Sequence, residues 1–218
     1  MTDHLPAAFK ALWYELPLLA TAGVLVCTSA GLVVLLSPGL TPLTVLVSAL
    51  VVSPVWGAVV ATTDAVVLEE RGGVQLLLKN LRRHALAGLQ VGVVPGVVVA
   101  VGLLNWQLYF GWRAGVMFVL PLAVSGCASV LLLLASCYAF SLRVSGRLRG
   151  KQLWFTALQL VARAPLVPLG VLALAFVDFL LGTSVTASLL LLAPGPVALF
   201  ASAGTATFYG TEKHALHR

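Results

Sequence analysis

Apolar residues in this chain come in long runs, at roughly 16–36, 44–67, 86–104, 115–141, 166–182 and 186–208, with short polar stretches between them. A helix needs about 20 such residues to cross the hydrocarbon core of a bilayer. The pattern therefore predicts an all-α polytopic membrane protein with six transmembrane helices. The fifth and sixth runs are joined only by Gly182-Thr183-Ser184-Val185, so they are expected to form an antiparallel hairpin. The whole of 1–218 reads as one transmembrane domain.

Two of the polar stretches have a periodicity of their own. Val74, Leu77, Leu78, Leu81 and Ala85 share one helical face, and Gln75, Lys79, Arg82 and Arg83 share the other. In the second stretch, Trp154, Ala157, Leu158 and Val161 oppose Gln152, Thr156, Gln159 and Arg163. Both are expected to be short amphipathic interfacial helices on the cytoplasmic side, apolar face towards lipid. Their registers coincide at an offset of 77, with Gln75 on Gln152 and Leu81 on Leu158, which is a weak internal repeat.

Charge placement sets the orientation. With the N-terminus inside, twelve of the thirteen Lys and Arg fall on inner segments and only Arg113 falls outside. Cytoplasmic loops carry such an excess of cations, so both termini are expected in the cytoplasm. Trp106, Tyr109, Phe110 and Trp112 then mark the outer interface, and Trp13, Tyr14 and Trp154 the inner one.

Composition agrees with this picture. Hydrophobic residues make up 60% of the chain and charged ones 9%, with a net charge of +6 and a mean hydropathy of +1.04. A soluble domain could not cover that much apolar surface. The cations sit between apolar runs, as topology control, so no nucleic-acid partner is expected. Cys27, Cys127 and Cys137 all lie within apolar runs and read as small buried hydrophobes. No lipoprotein signal or cleaved leader is expected, because Val24-Leu25-Val26 precedes Cys27 and the first run continues to spanning length.

Within the spans, Gly88, Gly92, Gly96 and Ala100 form a row at i+4 spacing, and Ala198, Ser202, Ala206 and Gly210 form a second. Such rows let helices approach closely, within one chain or between two copies. Pro54, Pro95, Pro121 and the Pro194-Gly195-Pro196 triplet are candidate kinks, the triplet also a candidate hinge or cavity. Asp64 and Asp178 are candidate functional acids. Asp178 is also expected to pair with Arg113 at the outer face. Ala123-Val124-Ser125-Gly126 approaches a Ser-Gly nucleophile motif, but all four histidines lie outside the spans, so no base serves it. His214 and His217 lack a third metal ligand. Neither an enzyme nor a bound cofactor is expected.

The order of several short motifs resembles the YesL-type family of bacterial membrane proteins. The likeness begins with Pro38-Gly39-Leu40-Thr41-Pro42-Leu43-Thr44 and continues through Ser53-Pro54-Val55-Trp56-Gly57-Ala58 to the acidic turn Glu69-Glu70-Arg71-Gly72. A basic helix with Leu78-Lys79-Asn80 follows, then a second from Leu158 to Pro165. The resemblance implies a bacterial cytoplasmic membrane protein with an accessory role in carbohydrate transport; it brings no catalytic or binding residues.

Two functional readings remain. One is an accessory or scaffolding protein that binds a transporter or another membrane protein through Lys79, Arg82 and Arg83. The other is a transport subunit such as an ABC-2-type exporter permease, against which the short polar segment Met1–Lys10 is a poor match to the usual leading interfacial helix. The inner helices could also serve only as anchors, or sense anionic lipid.

The predicted topology puts 37–43, 105–113 and 183–185 outside, and 70–85, 143–163 and both termini inside. In a background lacking the native cysteines, a single cysteine at Gln107 should react with an impermeant thiol reagent on intact cells, and one at Ser145 should not. Labelling at 145 with protection at 107 would overturn the orientation.

Overall fold

The computed structural model describes residues 13–37, 39–69, 73–111, 119–146, 148–184 and 194–216; the side chains at 68–69, 111, 178–179, 181–184 and 207–216 are not part of that description. Among the described residues there are seven helices and no strand. They are α1 (Leu16–Leu36), α2 (Pro42–Glu69), α3 (Val74–Gly111), α4 (Val119–Val144), α5 (Gly150–Arg163), α6 (Leu166–Ser184) and α7 (Pro194–Leu216). The first four are long and apolar enough to cross a membrane. Helices α5 and α6 meet at 87° and supply a fifth if the bent pair counts as one span. Large apolar side chains such as Leu35, Leu43, Leu120, Leu166 and Phe176 lie exposed, a surface suited to lipid.

The tightest packing joins α2 to α3. Gly57 lies against Gly88, Ser53 against Gly92, and Ala49 against Gly96, each step moving one turn along two antiparallel helices. A Cβ added to Gly57 would stand 2.7 Å from the Gly88 Cα, closer than real contacts allow. One added to Gly88 would run into the Ser53 carbonyl oxygen. The expected small-residue row on α3 thus packs within the chain, and Ala100 beyond it is also buried. Its counterpart on α2, Ala49-Ser53-Gly57, has the same spacing of four and was legible as a small-residue row.

The main core lies towards the α5 end of the bundle. Leu18 and Leu19 of α1, Val66 and Val67 of α2, Leu77 of α3, Tyr138 and Leu142 of α4, and Leu153 and Leu160 of α5 all belong to it. Helix α7 enters through Gly195, which abuts Leu19, and through Gly204, which abuts Val167 at the start of α6.

Two expectations need correction. The 74–85 stretch is not a separate interfacial helix; it is the opening three turns of α3, which runs unbroken for 38 residues. No breaker stands at the junction, where Ala85-Leu86-Ala87 favours helix. The equivalent α5 does end, because Pro165 disfavours helix at Ala164 before it. At the offset of 77, Pro165 takes the place of Gly88, so one residue separates a continuous helix from a right-angled corner.

The second correction concerns register. On α3 the inward residues are Leu77 and Asn80, while Leu78 is 52% exposed. On α5 they are Leu153, Ala157, Leu160 and Val161, while Leu158 is 38% exposed. The apolar faces were expected to meet lipid. Packing against α2 and α4 instead buries Leu77 on α3 and Leu153, Ala157, Leu160 and Val161 on α5, and leaves Val74, Leu78, Phe155 and Leu158 exposed. Pro54 and Pro95 are interior to α2 and α3.

Gly88→Ala should lower the thermal midpoint in mild detergent by the equivalent of about 1–3 kcal/mol, the usual cost of overpacking. Gly126→Ala, at a site with nothing within 4 Å of the added methyl, should be neutral or stabilising through helix propensity. Equal loss at both sites would count against the close α2–α3 contact.

Candidate functional site

Part of the set singled out by sequence, namely Asp64, Lys79, Arg82 and Arg83, lies at the end of the bundle that α5 covers. The site is built on α2. Thr62 and Thr63 are consecutive, so their side chains diverge by about 100° around a helix of 3.6 residues per turn and reach different neighbours. Thr62 donates to the Ala58 carbonyl at 2.9 Å and accepts a hydrogen bond from Asn80 Nδ2 of α3 at 3.1 Å. Thr63 bonds Ser202 of α7 at 3.0 Å. All four side chains are buried. In an apolar interior each such bond satisfies groups that would otherwise be costly to bury, and contributes about 0.6 kcal/mol on average.

Asn80 belongs to the same polar stretch as Lys79, Arg82 and Arg83. It faces inward, where its amide locks the opening turns of α3 onto α2. With Leu77 and Asn80 both anchored, Lys79, Arg82 and Arg83 project outward at i, i+3 and i+4 and are all exposed. The cations therefore stand on one held surface.

A second tie comes from α4. Arg143 donates to Gln90 Oε1 of α3 at 2.7 Å, bringing a further guanidinium to the same end of the bundle. The Tyr138 hydroxyl, on a side chain with no exposed surface, donates to the Ala164 carbonyl at 2.7 Å. Ala164 is the corner between α5 and α6, and its own N–H caps α5 by bonding Leu160 O. Tyr138 thus fixes the corner from inside. Sequence reading missed it; the only signal was a tyrosine, with its polar tip, inside an apolar run.

Other candidates are more dispersed. Asp64 is half-buried on α2, next to the threonine pair, and is engaged rather than free. Gly195 is buried and its two prolines are half-buried, in the first turn of α7. Arg113 and the Asp178 side chain lie outside the described residues, so their pairing does too. At the opposite end of α3, Trp106, Tyr109 and Phe110 form an aromatic cluster, with ring centroids 4.4 and 5.1 Å apart.

Chemically, the arrangement offers hydrogen-bond donors and positive charge. Among the described residues no three His, Cys, Asp or Glu side chains come together as metal ligands would. Ser125, considered above as a nucleophile, accepts from Asn105 Nδ2 at 3.2 Å and donates to Leu122 O, a bond between α3 and α4. Comparison of the chain with protein-family models, curated proteins and solved structures finds no match.

Tyr138→Phe keeps the ring and strands the buried Ala164 carbonyl, a change that costs about 1–3 kcal/mol. It should lower the thermal midpoint and speed hydrogen exchange at the α5 C-terminus, leaving α1 unaffected. Unchanged exchange at α5 would argue against a role at the corner.

Proposed function

We propose that this protein is an accessory or scaffolding protein of the bacterial cytoplasmic membrane. In this reading it crosses six times, has both termini in the cytoplasm, and binds a membrane-protein partner through Lys79, Arg82 and Arg83. The observation that carries the reading is the length of α3. Its 38 residues extend about 57 Å, whereas a bilayer core is about 30 Å thick. Some 25 Å of rigid helix must therefore stand clear of the hydrocarbon, and the end richest in charge holds the three exposed cations.

Several features favour a protein partner over lipid attraction alone. An interfacial anchor lies flat with its apolar face on lipid, but here part of that face, Leu77 on α3 and Ala157 and Val161 on α5, packs into the protein core. The exposed surface also mixes Gln75 with the cations, and amides add directional hydrogen bonds more than they add lipid attraction. α5, at right angles to α6, also presents polar residues outward, Lys151, Gln152 and Gln159. Partners fitting it would be acidic, and the sequence resemblance points towards a carbohydrate transport system.

Replacing Lys79, Arg82 and Arg83 together with Gln should reduce co-purification of the partner at least several-fold, with membrane insertion and thermal midpoint unchanged because all three side chains are exposed. Retention of every associated protein at wild-type yield would leave the helix as an anchor only.

A further inference from the structure

A cleft of about 270 Å³ lies between α2, α3 and α4, and none of the sites above uses it. It runs along α2 from Val45 to Trp56, about 17 Å at the helical rise. Gly92, Pro95 and Gly96 of α3 form one wall, Leu133, Ser136 and Phe140 of α4 another. The small residues that let α2 and α3 touch also leave the depth that α4 does not fill.

Its hydroxyl groups are unusual. Ser136 donates to the Leu133 carbonyl at 2.6 Å, as serines and threonines in this protein commonly do within their own helix. Ser48 and Ser53 do not: among the described residues neither makes a hydrogen bond, although Ser53 is only 9% exposed. The Ser53 oxygen lies over Gly92, at the cleft wall. A hydroxyl without a partner in this apolar setting calls for an acceptor.

We infer that the cleft binds an uncharged lipid with one long hydrocarbon chain and a carbonyl group, an ester or ketone, which accepts from Ser48 and Ser53. Each part of that description follows from the walls. No Lys, Arg, Asp or Glu lines the cleft, so a carboxylate or phosphate would be left uncompensated. Aliphatic and aromatic side chains make up most of the remainder, which suits a hydrocarbon chain. The volume is near the lower end for small-molecule sites, about 300–1,000 Å³, and the shape is long, so one chain fits where two would not. Ser53 is twelve residues into a helix long enough to cross the membrane. A ligand must carry its acceptor to that depth without a charged headgroup behind it.

The test uses the purified full chain in phosphatidylcholine vesicles with three photoreactive probes sharing one diazirine-bearing chain: a fatty methyl ester, the parent hydrocarbon, and a diacyl phosphatidylcholine. The ester should label peptides from 45–56, 92–99 and 133–140 at least five-fold more than either other probe does. Ser48→Ala with Ser53→Ala should reduce that labelling to the hydrocarbon level without lowering the thermal midpoint. Ser136→Phe, which fills the cleft, should abolish it; if that variant does not fold, the alanine pair decides. Equal labelling by all three probes would mean annular lipid only. Undiminished preference in the alanine pair would remove the carbonyl contact. A cleft that stays unlabelled while the chain cross-links to a second copy would give it to a dimer interface. Any of these three results overturns the assignment.

Discussion

The contact of α2 with α3 at backbone distance is the constraint on which most of the molecule depends. In lipid there is little hydrophobic drive to bring helices together, and association rests on van der Waals contact and interhelical hydrogen bonds. Gly57, Gly88, Gly92 and Gly96 supply the first by removing side chains from the seam. The seam also sets register. Once Gly57 lies on Gly88, Thr62 falls within reach of Asn80, and Thr63 is turned towards Ser202 on α7.

The same geometry explains how opposite faces of α3 differ in character. Its inward stripe is Leu77, Asn80, Gly88 and Val91, all buried, and the rotation that puts them there turns Leu78, Lys79, Arg82 and Arg83 outward. A strictly amphipathic helix would have hidden Leu78 and exposed Asn80. Packing against α2 outweighs that preference, because burying one leucine on the far side would cost the whole glycine seam. The cation surface that we propose for partner binding is in this sense a by-product of the seam.

The α5–α6 corner is the second fixed point. Pro165 ends α5, and Tyr138 holds the corner carbonyl from the core. α5 contributes four buried residues and closes the core at that end. The cleft between α2, α3 and α4 lies beyond this densely packed region, where the small residues continue and no comparable cover is present among the described residues.

Much was legible in the sequence because bilayer thickness imposes a length on every crossing. The apolar runs alone are enough to locate the long helices α1 to α4 and the helical, strand-free character, and the row from Gly88 to Ala100 is visible as a packing stripe. What periodicity could not decide was which neighbour each face would meet. Leu77 and Leu78 are equally apolar and adjacent, Asn80 and Lys79 equally polar, and only the position of α2 selects between them. Nor could it tell that the two matching amphipathic segments would end differently: that turned on Gly88 in one and Pro165 in the other, and on Tyr138, a residue far away in sequence, to hold the resulting corner. Length and composition are local properties and are written in the chain; the choice of face is made by contacts between residues distant along it.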